Sequence, residues 1–196
     1  THAAEALNRI PGVLMQRGSG QESLLAIRSP VLTGAGACGA FLLLEDGMPL
    51  RPTGFCNVNQ LFEANTSQAA AVEVLRGPAA AVYGSDAIGG VIQLFTRKGD
   101  GALTPSIGVG IGTYNTKKVD AALSGSSEAI DYSLVFARET STGFDSRSGT
   151  PHNPDNDGYN SKSANARLGL QVSKAQRVEL TALTSNVNSQ YDAFGY

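Results

Sequence analysis

The pattern of apolar and polar positions divides the chain into two parts. From about residue 105 onward, apolar residues occupy every second position in successive runs, and no run with helical periodicity lies between them. This alternation predicts β-strands that each have one apolar and one polar face. The predicted strands cover residues 107–112, 118–124, 130–137, 164–173 and 177–182.

The first part of the chain mixes short helical and extended patterns, which predicts an α+β unit. The apolar run at residues 40–44 is too continuous for a strand with one solvated face and predicts a buried strand. An Asp-Gly pair at 46–47 predicts a tight turn after it. The other predicted elements are helices over 3–10 and 58–64 and strands over 13–15, 24–28, 48–50, 72–75 and 91–96.

Residues 72–96 predict two strands joined by a compact, glycine-rich connection. We call this connection the knot for its compactness, although the chain is not threaded. Pro78 presets a helical φ and needs no donor, so it suits the first position of a one-turn helix over 79–83. Gly84 is expected to end that helix in a left-handed conformation. Ser85 is expected to cap a second helical turn.

Two ordered motifs within this stretch resemble the plug domain of the TonB-dependent outer-membrane receptors. They are Glu-Val-Leu-Arg-Gly-Pro at 73–78 and Tyr-Gly-Ser-Asp-Ala-Ile-Gly-Gly-Val-Ile at 83–92. The run Leu-Glu-Asp-Gly-Met-Pro-Leu at 44–50 is similar to the hairpin of that domain. The chain departs from the family at Ser29, where a glycine usually follows the arginine.

The resemblance implies an α+β plug domain followed by antiparallel β-strands of a transmembrane β-barrel. The plug would cover residues 1–99 and the first barrel strands residues 100–196. Alternation alone also fits a soluble β-sandwich, and the plug motifs favour the barrel. About 22 strands enclose a plug in such barrels, so we expect this chain to be part of a larger receptor.

Composition agrees with that interpretation without requiring it. The net charge of −2 gives no basic field, and we expect no nucleic-acid partner. A mean hydropathy of −0.09 is compatible with strands that alternate between lipid and water. No apolar run approaches the roughly 18–20 residues of a membrane helix.

The resemblance also implies residues for plug–barrel contact and gating. Arg76 would pair with acidic residues of the barrel wall, because a guanidinium in the lumen requires a charged partner. Glu73 is a second candidate, facing a wall arginine. A solvated charge at a strand end is the alternative for Arg76. The full set of proposed contact residues is Arg76, Gly77, Pro78, Glu73, Gly89 and Gly90.

Loops of the plug that face outward would meet the ligand, and Arg51, Phe55 and Asn57 lie in such a region. Cys38 and Cys56 flank the central hairpin, and the family context favours a disulfide between them in an oxidising periplasm. Two free thiols, or soft metal ligands together with the methionines, are the alternatives. We predict no metal site and no cofactor.

The family would use such a chain for active uptake of a scarce ligand, such as an iron-siderophore, cobalamin or another metal chelate. The plug would gate the barrel in the bacterial outer membrane. Its partners would be membrane lipid, the ligand and the TonB energy-transducing protein of the inner membrane. No catalytic constellation is visible, so we predict that the chain is not an enzyme. A plugged-barrel protein for binding or adhesion without transport is the alternative.

Overall fold

The computed structural model falls into two compact units, Thr1–Thr96 and Arg97–Tyr196. Among the residues that the structure describes, the first unit has two β-sheets and the second unit has one. No helix of the described part is long and apolar enough to cross a membrane. The structure describes residues 3–17, 23–28, 41–50, 66, 69–145 and 154–190.

The element order agrees with the sequence prediction of a mixed first unit and an all-β second unit. The predicted helix over 58–64 lies outside the described residues. The elements are α1 (Ala3–Leu7), β1 (Val13–Arg17), β2 (Ser23–Ile27), β3 (Phe41–Glu45), β4 (Met48–Pro49), β5 (Ala69–Arg76), α2 (Ala80–Tyr83), β6 (Gly90–Thr96), β7 (Thr104–Gly112), β8 (Thr116–Ser126), β9 (Ile130–Ser141), β10 (Tyr159–Ser173) and β11 (Gln176–Ser189).

The first unit contains a four-stranded sheet in the order β4-β3-β6-β5 and a separate antiparallel pair, β1 and β2. Strands β3 and β6 run parallel, whereas β5 and β4 pair antiparallel with their neighbours. A parallel pair needs a long crossover connection, and here β5 is part of it. The knot between β5 and β6, residues 77–89, therefore starts at the edge strand and leads to a central strand.

The central strands of this sheet are buried on both faces. Leu43 and Ile92 pack on one side with α1, β1 and β2. Leu42, Leu44 and Val91 pack on the other side with two alanines of the knot. Burial on both faces explains why the apolar run of β3 does not alternate.

The knot differs from the sequence prediction in three details. The helix α2 begins at Ala80 with Ala79 as its N-cap residue, so Pro78 precedes the helix and does not occupy its first position. Gly84 ends α2 with φ 87° and ψ −177°, a glycine conformation that is not the left-handed helical one. The second helical turn predicted after Ser85 is a simple turn. These corrections shorten the helical content but keep the compact chain path.

The second unit is an antiparallel sheet in which strands follow one another in sequence order, β7 to β11. The turn between β7 and β8 has φ 54° at Tyr114 and 52° at Asn115, and Thr116 donates its N–H to Thr113 O at 3.1 Å. Two central residues with positive φ define the type I′ hairpin turn, whose twist suits a two-residue connection. The β8–β9 and β10–β11 connections are also short.

The two faces of this sheet differ in chemistry and exposure. The apolar face carries the apolar positions of every strand, and its residues are solvent-exposed, for example Val109 at 81% and Leu180 at 66%. The polar face includes Ser133, Asn165 and Arg167, which are buried. A soluble sandwich would bury the apolar side and expose the polar one. The observed arrangement is the one expected of a membrane barrel wall.

Candidate functional site

The knot is held by backbone hydrogen bonds that fold it back on the sheet. The N–H of Gly77 donates to Gly89 O at 3.2 Å, and the N–H of Ala79 donates to Ala87 O at 2.8 Å. Ala87 is fully buried and packs in the apolar cluster that includes Leu42. The knot is therefore fixed at its base by two hydrogen bonds and two small apolar residues, Ala79 and Ala87.

Gly90, the first residue of β6, lies where the backbone of β5 and a side chain of β2 come close. It pairs with Arg76 across β5 and β6 and has φ 156°. A Cβ built there would lie 2.6 Å from Leu75 O and 3.0 Å from Ile27 Cδ1. Backbone cannot move out of the way of a methyl group as a side chain can, so only glycine fits.

Arg76 ends β5 and extends its side chain toward the turn that precedes β1. Its Nη1 donates a hydrogen bond of 2.6 Å to Pro11 O. The neighbouring Gly12 carbonyl accepts the N–H of Arg28 at 2.9 Å. Arg76 thus tethers the start of β1 to the end of β5, which are 65 positions apart in sequence. Pairing of Arg76 with a carboxylate of the barrel wall stays a prediction.

The other predicted contact residues lie near Arg76, at the end of β5 or in the knot. Glu73 is exposed and faces Gln93 in the register of β5 and β6. Pro78 is also exposed, whereas Gly89 is half-buried. The structure therefore places all six predicted contact residues along the strand, knot and strand that carry the two plug motifs.

Five predicted residues cannot be placed. Arg51, Phe55, Asn57, Cys38 and Cys56 lie outside the described residues. Their roles as ligand-facing positions and as a disulfide pair stay predictions.

A hydrogen-bonded latch between Asp46 and Thr96 was missed by the sequence analysis. Asp46 Oδ1 accepts the N–H of Thr96 at 3.0 Å, and Asp46 Oδ2 accepts its hydroxyl at 2.5 Å. The N–H of Asp46 in turn donates to Leu94 O at 2.9 Å. The sequence identified the Asp-Gly turn but could not show that its carboxylate binds the end of a strand 50 positions away.

The polar face of the second unit carries charge pairs that join three neighbouring strands. Arg167 on β10 lies 2.5 Å from Glu179 on β11. Arg177 on β11 reaches across β10 to Asp131 on β9, also at 2.5 Å. It can do so because β10 has Gly169 between them, where a Cβ would lie 2.1 Å from Arg177 Nη2 and 2.5 Å from Asp131 Oδ2.

These paired charges suit a wall that faces water or another polar surface and not lipid. A charge facing hydrocarbon is costly, whereas a charge facing the lumen can be solvated or paired. The available sequence signal was that Asp131, Arg167, Arg177 and Glu179 all fall on the polar side of alternating runs. Which of them pair could not be predicted, because that depends on register.

The first part of the chain matches a known domain family. Residues 1–91 match the family model described as the TonB-dependent Receptor Plug Domain. The chain is similar to the siderophore receptor PirA from Acinetobacter baumannii, with a TM-score of 0.73 and 23% identity over 96% of this chain and 29% of that one. It is also similar to PirA from Pseudomonas aeruginosa, with a TM-score of 0.65 and 25% identity over 95% of this chain and 31% of that one.

A third similar structure is the pyoverdine outer membrane receptor FpvA from Pseudomonas aeruginosa bound to pyoverdine. The TM-score is 0.74 and the identity 15%, over 97% of this chain and 26% of that one. The chain thus spans less than a third of the length of these receptors. Residues 1–91 are therefore a plug domain of the TonB-dependent receptor type, and the chain as a whole shares the fold of these receptor structures.

Proposed function

We propose that this chain belongs to a receptor for TonB-dependent active uptake of a scarce ligand, with a ferric siderophore or a related metal chelate as the first candidate. In this proposal residues 1–99 are the plug, and residues 100–196 supply the first strands of the barrel that the plug gates. The siderophore receptors to which the chain is similar support this choice of ligand class.

The observation that carries the proposal is the combination of a plug-domain match with a sheet whose apolar face is exposed. A plug motif on a soluble domain would not need such a sheet. An apolar sheet face such as that of Ile107, Val109 and Ile111, exposed at 80%, 81% and 94%, is unfavourable in water and favourable in a bilayer.

Orientation follows from the lengths of the connections. We call the end of the second-unit sheet that has the turn 113–115 and the connection 142–158 the loop end, and the opposite end, with its short connections, the turn end. Outer-membrane barrels have short periplasmic turns and longer outer loops. The loop end is therefore assigned to the cell exterior and the turn end to the periplasm.

The plug must be stable in the closed state and yet be displaced when TonB pulls on the receptor. The knot and the Arg76 tether suit this requirement. Their hydrogen bonds are few and lie partly at the surface, so each contributes only about 0.5–1.5 kcal/mol. A pulling force can break such contacts one after another without unfolding the buried core around Leu43 and Ile92.

Uptake assays test the proposal directly. The receptor that contains this chain is expressed in a bacterial strain lacking its own siderophore receptors, and accumulation of radiolabelled iron is measured from hydroxamate and catecholate chelates. We expect accumulation with at least one chelate class, dependent on TonB and abolished by a protonophore. Accumulation that is unaffected by loss of TonB, for every chelate that enters, would contradict the proposal.

The alternative is a plugged barrel that binds a ligand or a surface without transporting it. The same assay separates the two functions, because the alternative predicts saturable binding at the cell surface with no energy-dependent accumulation. Arg76→Ala tests the gating role separately. In a transporter it should alter uptake or passive permeability, whereas unchanged uptake and unchanged permeability would remove Arg76 from the gating role.

A further inference from the structure

Charged residues in the second unit are sorted by face in a way that the plugged-barrel function does not require. The carboxylates Asp120, Asp131, Glu139 and Glu179 all lie on the polar face. In the described strands the apolar face carries no carboxylate. It does carry three exposed cations, Lys117, Arg138 and Lys162, on the consecutive strands β8, β9 and β10.

These three cations, which we call the basic row, lie close together in the register. Arg138 and Lys162 are direct cross-strand partners, and Lys117 is diagonal to Arg138 because Val119 is the direct partner of Arg138. Direct partners have Cβ atoms about 4.5–5.5 Å apart and diagonal ones about 7–8 Å, so three long side chains can reach one anion. None of the three side chains forms a hydrogen bond or ion pair with the described part of the chain.

Like charges directly opposite each other destabilise a sheet, so the pair of Arg138 and Lys162 repels when no anion is bound. An anion that lies between the two side chains offsets this repulsion. Toward the loop end, the apolar positions of this face stop at Val119, Phe136 and Ala164 on the three strands. On each strand the next residue of the same face is the cation. That boundary is where the headgroups of a bilayer lie.

An apolar groove lies directly next to the basic row on the same face. It has a volume of about 650 Å³, and small residues line its middle, among them Ala121, Ala164 and Ala166. Leu134 and Phe136 form larger walls. Lys162 and Arg138 are each two positions from a groove residue on their own strand, a separation of about 6.7 Å.

We propose that the basic row and the groove together form a binding site for an anionic, phosphate-bearing membrane lipid in the leaflet that faces the loop end. The lipid phosphate binds Lys117, Arg138 and Lys162, and one acyl chain lies along the alanines of the groove. The site rests on the membrane location of the chain and is independent of which ligand is imported. Charge complementarity and the continuous apolar surface select a lipid over a soluble anion.

Native mass spectrometry of the receptor that contains this chain measures how tightly lipids bind to the site. The probes are phosphatidylglycerol, a bisphosphorylated glycolipid and the zwitterionic phosphatidylcholine, each titrated into receptor in neutral detergent. The combined variant Lys117→Gln, Arg138→Gln and Lys162→Gln is expected to lose affinity for the anionic lipids by about a hundredfold, roughly fivefold for each cation. Phosphatidylcholine binding should change little.

The matched control is Arg97→Gln, Lys118→Gln and Lys174→Gln, which removes the same three charges from positions outside the row. It should retain anionic lipid. Ala164→Leu fills the groove and leaves the three cations in place. It should weaken the binding of the anionic lipids but not the binding of glycerol phosphate. If the combined row variant does not reach the membrane, the single row variants and Ala164→Leu replace it. Each of them should lose affinity for anionic lipid, and unchanged binding in all of them would overturn the proposal.

Equal loss in row and control variants would overturn the proposal, as would unchanged lipid binding in the row variant or in Ala164→Leu. Glycerol phosphate binding as tightly as the lipids would also overturn it, because the site would then be a plain phosphate site.

Discussion

The guanidinium of Arg76 and the carbonyl of Pro11 are joined by a hydrogen bond of 2.6 Å that closes the first unit across 65 positions of sequence. Arg76→Ala is expected to loosen the turn before β1, because it removes the bond to Pro11 O and leaves the bond from the Arg28 N–H to Gly12 O. Hydrogen exchange should quicken in peptides covering residues 12–17 and 25–28. The global stability should fall by only about 1 kcal/mol, as for a surface hydrogen bond.

Arg9→Ala is the matched control, since Arg9 is another exposed arginine in the same unit. It should leave exchange in both peptides unchanged. Arg76→Lys should restore protection in part, because an ammonium can donate to the carbonyl but from a shorter reach. Protection in Arg76→Ala equal to that of the wild type would show that the bond does not hold this turn.

Gly90 and Gly77 separate the effect of backbone strain from the effect of a clash. Gly90→Ala places a methyl group 2.6 Å from Leu75 O, and we expect a loss of about 2–3 kcal/mol. Gly77 has φ 123° but open space around it, so Gly77→Ala should cost only about 1 kcal/mol from strain. Limited proteolysis of the plug in the intact receptor measures both. Equal sensitivity of the two variants would contradict the clash at Gly90.

The Asp46–Thr96 latch can be tested by changing the side chain of Asp46 while keeping its turn. Asp46 has φ 48°, which asparagine and glycine both tolerate. Asp46→Gly removes both bonds without adding strain and should destabilise the first unit by about 2 kcal/mol. Asp46→Asn can still accept from the Thr96 N–H and donate to its hydroxyl, so it should be milder.

Denaturant unfolding of Asp46→Gly, Thr96→Val and the double variant measures the coupling between the two residues. The latch predicts that Thr96→Val adds little in the Asp46→Gly background, because the hydroxyl has already lost its acceptor. Fully additive losses would mean that the two side chains act independently.

Gly169 allows Arg177 and Asp131 to meet across β10, so Gly169→Ala should separate them. The expected signature is coupling: Gly169→Ala destabilises the receptor in the wild-type background and has less effect when Asp131→Ala has already removed the pair. Gly110→Ala is the control on the same face, because a Cβ there would lie 3.6 Å from Lys118 Cβ, an ordinary contact. Equal effects of Gly169→Ala in both backgrounds would contradict the bridging role.

Local patterns predicted most strands of both units because they depend on local chemistry. In β9, Leu134 and Phe136 alternate with Ser133 and Ala137 because one face is exposed and the other is buried, so each position reports its own environment. The buried strand β3 was equally visible, because its unbroken apolar run fits burial on two faces. In the first unit the motif at the end of β5 also pointed to a knot.

Long-range relationships could not be predicted in the same way. The strand order β4-β3-β6-β5, the bond from Arg76 to Pro11 and the bridge over Gly169 all depend on which distant segments pair. The positive φ at Tyr114 was also missed, because a type I′ turn is usually signalled by Asn-Gly or Asp-Gly. Here the ring of Tyr114 lies 5.0 Å from that of Phe144, and its carbonyl accepts the N–H of Thr142.

The central claim is that the exposed apolar face of the second unit faces lipid. Its most direct test is the oxygen accessibility of nitroxide labels placed singly at Ser133, Leu134, Val135 and Phe136 in the receptor in a bilayer, with Cys38 and Cys56 replaced by serine. We predict high accessibility at Leu134 and Phe136 and low accessibility at Ser133 and Val135. The opposite alternation, or equal accessibility at all four positions, would contradict the claim.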